Sequence, residues 1–449
     1  MRILTAVLFT CLTIAAGAAA REVQITVYNE DLGLVRDVRD ITLSGGSGEL
    51  SVTDVAARID PTSVHLASLT REGGLTVLEQ NYRYDLASPD RILDRYLDAN
   101  VQAVLEGGEL HDGKLLSFTN EQLVLLGEGG LSILQRENVI DVRCPALPSG
   151  LITKPTLVWT VNADRGGAQQ VELSYLTNGI SWHAEYVALV NESDTAADLA
   201  GWVSVDNQSG ATYPEAKLQL IAGDVNRVRP QQPPMPMARM EMAGMAKADV
   251  GFEEEAFFEY HLYTLPRATT ISDRESKQIA LFPPAQTPVV KLYEYKPRID
   301  ERKIRTVLQF ENREDRGLGM PLPKGKVRTY KRDSKGGQQF VGEDWIDHTP
   351  KDEKVRLFLG NVFDVVPERT VKSQNRISDR VWEQTIEVKF RNHKKENVTI
   401  VAEDRFWGDW TITTTSTPSR KKDAYTAEWS VDVAPDAETV LTYTVRTVR

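Results

Sequence analysis

Ile180-Ser181-Trp182-His183-Ala184-Glu185-Tyr186-Val187-Ala188-Leu189-Val190 is the stretch that decides the fold class. Ile180, Trp182, Ala184, Tyr186, Ala188 and Val190 recur at every second position. A period of two sends successive side chains to opposite faces, so the run reads as a strand with one buried face. His183 then falls opposite Trp182, toward solvent or another domain. The same alternation continues outward in both directions. Val23, Ile25 and Val27 carry it near the start, and Val171, Leu173 and Tyr175 just upstream. Ile304, Thr306, Leu308 and Phe310 follow, then Trp382, Gln384, Ile386, Val388 and Phe390. Ala427, Trp429, Val431 and Val433 precede a last run at Leu441, Tyr443 and Val445. Glycine-rich turns such as Ser44-Gly45-Gly46, Gly73-Gly74 and Asp164-Arg165-Gly166-Gly167 separate these runs. Many short strands at such spacing predict a mainly β protein built of several sandwich or barrel domains.

One helix is expected. Ser88 can cap it, Pro89 suits its first position, and Ile92, Leu93, Tyr96 and Leu97 follow, to about Asp98. Five short apolar runs between Val101 and Arg143, split by Gly107-Gly108, Gly113 and Gly127, suggest a small SH3-like or Sm-like barrel insert. A Pro- and Met-rich stretch with the acidic Glu253-Glu254-Glu255 lacks any period, and 227–256 is expected to be a mobile, disordered loop. Pro321-Leu322-Pro323 suggests a junction, and Lys372 to Arg380 a polar connector. The expected division is a signal peptide at 1–20, an N-terminal β-domain at 21–98 and the barrel at 99–146. A central sandwich at 147–330 and a C-terminal sandwich at 331–449 complete it.

The first twenty residues carry Arg2, an apolar run from Ile3 to Ala16, and Ala18-Ala19-Ala20 as a small-residue exit. This is a secretory signal pattern, with cleavage expected near Ala20 and a periplasmic or secreted destination. Phe9 and Thr10 before Cys11 do not suit a lipoprotein site. Without that segment one cysteine remains, Cys144, so stability must come from buried cores. Nothing after residue 20 is long and apolar enough to predict a transmembrane segment. The net charge is −11, with acids and bases interspersed rather than blocked. Such a balance argues against nucleic acid, which demands a concentrated basic face.

Several phrases carry a resemblance. They include Val27-Tyr28-Asn29, Ile59-Asp60-Pro61-Thr62-Ser63-Val64 and Leu173-Ser174-Tyr175-Leu176-Thr177-Asn178-Gly179-Ile180-Ser181-Trp182. Gly201-Trp202, Asn207-Gln208-Ser209-Gly210, Ala216-Lys217-Leu218-Gln219-Leu220, Leu322-Pro323-Lys324-Gly325 and Leu357-Phe358-Leu359-Gly360 add to it. Together they resemble the domain of unknown function 4139 family, some of whose members are described as mucoidy-inhibitor-like. The resemblance spans nearly the whole chain after residue 20 and implies a bacterial envelope or secreted β-protein. It brings no established activity, cofactor or catalytic set. Relatives often carry a coiled coil where this chain has the barrel-like run.

Two local features can carry chemistry. Met235, Met237, Met240, Met242 and Met245 fall within eleven residues. Their thioethers are soft ligands suited to Cu(I), and equally they are adaptable apolar groups for a partner. Phe406, Trp407 and Trp410 surround a turn at Gly408, where rings can stack on sugars with Asp404 or Asp409 accepting hydroxyls. The competing reading is that these rings plug a sandwich end. His65, His111, His183, His261, His348 and His393 show no zinc-ligand spacing, though His348 can join Glu343 or Asp347 in a polar site. Cys144, before Pro145, reads as a small packing residue. No nucleophile elbow or phosphate loop is found. The expectation is an exported, non-enzymatic binding or scaffold protein of the bacterial envelope, with no catalytic residues and no required cofactor. Its partner is expected to be an envelope protein or a polysaccharide. The alternatives are copper handling by the methionine-rich loop, or polysaccharide binding or processing.

Overall fold

The computed structural model describes residues 21–148, 151–223, 225, 252–258 and 260–448. The expected signal peptide and all five clustered methionines lie outside these residues. The chain is mainly β, arranged in separate sheets with a single α-helix among the described residues. Ile180–Val190 is a strand whose alternate residues are buried, with Trp182 and Tyr186 wholly inside. It turns back from Gly167–Thr177 through Asn178-Gly179. Gly179 has φ 81°, and a Cβ there would lie 2.6 Å from the Gln208 carbonyl oxygen, so only glycine fits.

Two large sheets share the first core. In one, Arg21–Tyr28 lies between Gly33–Leu43 and Tyr213–Ala222, antiparallel to the former and parallel to the latter. In the other, Ile180–Val190 lies between Ala196–Asn207 and Gly325–Arg332. Val23, Ile25 and Val27 pack in the same core as Trp182, Tyr213 and Tyr263. Polar atoms of the buried rings are satisfied: Trp182 donates to the Ile221 carbonyl at 3.1 Å, and Tyr186 to that of Pro323 at 2.7 Å. Pro321-Leu322-Pro323 thus closes the core, its carbonyls accepting from Tyr263 and Tyr186. A second sandwich stacks the sheet containing Val290–Tyr295, Val398–Arg405 and Thr426–Val433 on the one containing Val381–Asn392 and Ala437–Val448. Its core is aromatic, with Trp429 and Tyr443 stacked at 4.4 Å.

The five strands between Asn100 and Arg143 form a sheet of their own, the last strand returning beside the first. Their core holds Leu93 of the helix together with Val101, Leu115, Leu123 and Leu125. That helix spans Pro89–Arg95, and the Ser88 side chain accepts from the Arg91 amide as expected of a cap.

Three buried asparagines repeat one device. Asn207, Asn312 and Asn392 each stand at or just beyond a strand end, and each spreads its amide over three carbonyls. Each carboxamide oxygen accepts a backbone amide in return, from Ser209, Gly319 and Lys394 respectively.

Some expected boundaries are corrected. Residues 21–98 have no core separate from the central sheets, because Arg21–Tyr28 is enclosed by a strand from beyond residue 212. The 330/331 boundary falls inside the strand Gly325–Arg332. Val355 and Leu357 join the first core while Tyr293 and Tyr295 join the second. Alternation marks a strand's buried face and not its partner, so these exchanges were not legible locally. Within 227–256, Glu253–Phe257 is a strand on Tyr260–Thr264, with Glu254 meeting His261 at 2.7 Å. Lys372–Arg376 is likewise strand rather than connector, although its side chains are mostly exposed.

Candidate functional site: an aromatic rim on a charged sheet face

The aromatic turn follows the strand Val398–Arg405. Phe406 is not part of a surface platform: it is buried, with its ring 5.2 Å from Trp410 and 6.4 Å from Tyr443. Trp410 is half-buried, donates to the Ala424 carbonyl at 2.8 Å and carries the Lys421 ammonium 4.8 Å above its ring. Phe406 and Trp410 therefore plug the sandwich end. Trp407 is exposed and pairs with Tyr425 at 5.7 Å. The Arg405 guanidinium lies 5.1 Å from the Trp407 ring and 5.4 Å from that of Tyr425, completing a triangle of flat groups. Tyr425 and Arg405 are the partners the sequence did not suggest. The Asp423 carboxylate accepts the Tyr425 amide at 2.8 Å, which fixes that turn and holds its carboxyl below the ordinary aspartate value.

Asp404 does not face the rim. It is buried and accepts from the Tyr443 hydroxyl at 2.5 Å, with the Arg369 guanidinium 3.4 Å away. Burial and the Asp404 charge drive the Tyr443 hydroxyl far above the usual tyrosine range, so it stays a donor. This pair anchors the base of the turn from inside.

On the outer face the strand alternates the other way. Glu403 lies on the same side as Arg405, and across the ladder it is paired with Glu428. Glu294 continues the row beneath these ions, its side chain only 3% exposed. Cations interleave these acids: Lys422 reaches Glu403 at 2.6 Å, Lys296 reaches Glu294 at 2.9 Å, and Arg356 and Arg420 pair with Glu294 and Glu428. Burial pulls the Lys296 ammonium below the ordinary lysine value, against the attraction of Glu403, and repulsion from Lys422 and Arg305 adds to the fall. The result is a strip of alternating charge ending in exposed aromatic rings. It can offer hydroxyl groups both donors and acceptors along its length, and a ring face at one end.

The remaining candidates are dispersed. His183 is 44% exposed and stands 3.7 Å from Asp206, opposite Trp182 as expected. His348 accepts the Lys324 amide at its Nδ1, at 3.2 Å. Cys144 packs against the barrel core, and burial pushes its thiol up, away from a reactive thiolate. Among the described residues, no group of three or more His, Cys, Asp or Glu side chains is placed to hold a metal ion. No helix among them is long and apolar enough to cross a membrane. No protein-family model matches the chain, and no curated protein is significantly similar to it.

Proposed function

We propose that this chain is an exported, non-enzymatic binding or scaffold protein of the bacterial envelope, and that its ligand is a polysaccharide laid along the charged face ending at Trp407. The observation that carries this reading is the Arg405–Trp407–Tyr425 triangle, continuous with the Glu403–Lys422–Glu428 strip. A flat exposed ring stacks on the apolar face of a sugar, and paired charges exchange partners with hydroxyls without leaving an ion unmatched. The amino-terminal signal pattern and the resemblance to the mucoidy-inhibitor-like family agree with an envelope location. The copper reading rests on methionine spacing alone.

The test is affinity electrophoresis of residues 21–449 through gels containing neutral or uronate-bearing bacterial polysaccharides. Trp407→Ala should weaken retardation at least tenfold while leaving the melting temperature unchanged, because the ring is 58% exposed. Retardation that survives both Trp407→Ala and Tyr425→Ala would remove this surface from the ligand site.

A further inference from the structure

A second open surface is the outer face of the sheet that holds Ile180–Val190. Alternation buries Ile180, Trp182, Ala184 and Tyr186, so His183 and Glu185 point the other way. Cross-strand register then sets one row of side chains on that outer face: Trp202, Glu185, Lys326 and Trp345. They come in order from the strands Ala196–Asn207, Ile180–Val190, Gly325–Arg332 and Gln338–Ile346. At ~4.8 Å per strand the two tryptophans stand roughly 14 Å apart. Both are open to solvent, Trp202 being 40% and Trp345 59% exposed. Further along the same face the exposed Phe340 ring meets that of Tyr330 at 5.7 Å.

Paired charges fill the space between the tryptophans. Arg328 reaches Glu185 at 3.4 Å and Glu343 at 3.5 Å, and Lys326 reaches Glu343 at 3.7 Å. The Lys326 ammonium also lies 5.6 Å from the centre of the Trp345 ring. From the edge strand Glu275–Pro288, Gln278 donates to Glu185 at 3.0 Å.

Single apolar residues scattered over a surface need no cause, but rings gathered on one face do. A protein partner fits this face poorly, because the middle of a protein interface is depleted of charge and here the middle is charged. A sugar fits it better. Its ring has an apolar face that stacks on an aromatic, and its hydroxyls exchange hydrogen bonds with ion-paired side chains. Glu185 and Glu343 balance Lys326 and Arg328, so the centre of the face carries no net charge to attract an anionic polymer. We propose that this face is a second polysaccharide site, taking a neutral glycan that spans Trp202 and Trp345. It rests on the polysaccharide reading above for the class of ligand, while its residues and its sheet are different. Where both faces grip one polymer, the second contact is intramolecular, so the two hold more tightly than either alone.

The test is affinity electrophoresis of residues 21–449 in gels containing dextran, hydroxyethyl cellulose or galactomannan, with alginate as the uronate-bearing control. At least one neutral gel should retard the parent chain. Trp345→Ala and Trp202→Ala/Trp345→Ala should each weaken that retardation at least tenfold, alone and in the Trp407→Ala background. Retardation lost with Trp407→Ala but untouched by both other variants overturns this second face and leaves the first standing. The converse keeps this face and removes the first. A parent chain retarded by no neutral gel overturns the proposal, whatever alginate does. Melting curves check folding; should Trp202→Ala disturb the curve, the more exposed Trp345→Ala decides alone. Sedimentation of the same proteins covers the competing occupant. An oligomer that Trp345→Ala dissolves, with retardation unchanged, would make this face a protein interface and overturn the proposal.

Discussion

Asn392 donates to the carbonyls of Glu396, Val433 and Ala434 at 2.9, 3.1 and 3.1 Å, and its oxygen accepts the Lys394 amide at 3.0 Å. Asn392→Ala leaves those buried groups without partners, an expected loss of about 2–4 kcal/mol, since each unmet group costs ~1–3 kcal/mol and part is recovered by relaxation. Asn392→Asp should do no better, because a carboxylate cannot donate to three carbonyls. Urea unfolding followed by tryptophan fluorescence measures both; a loss under ~0.5 kcal/mol would mean that water replaces the amide. The device was legible as a phrase: Val203-Ser204-Val205-Asp206-Asn207, Leu308-Gln309-Phe310-Glu311-Asn312 and Val388-Lys389-Phe390-Arg391-Asn392 share one pattern. The phrase alone does not disclose the device, because a polar residue after a strand reads equally as the start of a loop. The aromatic turn shows the opposite limit. Its residues could be picked out, but the period of two ends at Arg405, and beyond it nothing local says that Phe406 turns inward and Trp407 outward.

The barrel-like element is joined to the rest of the chain at a narrow neck. The Ala87 amide donates to the Ile152 carbonyl at 2.8 Å, and the Ile152 amide to that of Asp85 at 3.1 Å. Entry and exit therefore run side by side. Within the insert, the Tyr96 hydroxyl donates to the Ala146 carbonyl at 2.7 Å, clasping the end of the helix to the chain that leaves the last strand. Because its core is separate, deleting 88–150 and joining Ala87 to Leu151 through a short Gly-Ser link should leave the remainder folded. The excised piece should also give dispersed amide resonances by itself. A deletion variant recovered only as aggregate would show that the insert braces the strand Leu75–Arg83. The strands and helix of this element are readable because four of its five strands pair with their neighbours in sequence through tight turns, only the last returning to the first. The large sheets are not, because their ladders join strands far apart.

At the scale of the molecule, burial of tyrosine hydroxyls sets an upper pH limit. Burial pushes Tyr213 up to about 12, and holds Tyr175, Tyr186, Tyr263 and Tyr443 well above the ordinary tyrosine value. In the unfolded chain each titrates near ~10. The folded state thus holds protons that the unfolded state releases, and stability falls with pH in that window. It should be fully present below pH ~10 and decline above it, read as a urea midpoint that holds to about pH 10 and falls between about pH 10 and 12. A flat midpoint would mean that the tyrosines reach water. The enclosed position of Arg21–Tyr28 has a further consequence, in time. Gln24 meets Gln219, 195 residues later. At ~5–20 residues per second of synthesis, the first strand waits roughly 10–40 s for its parallel partner to exist. Until then the central sheet cannot close, and the nascent chain stays open to whatever machinery meets it first.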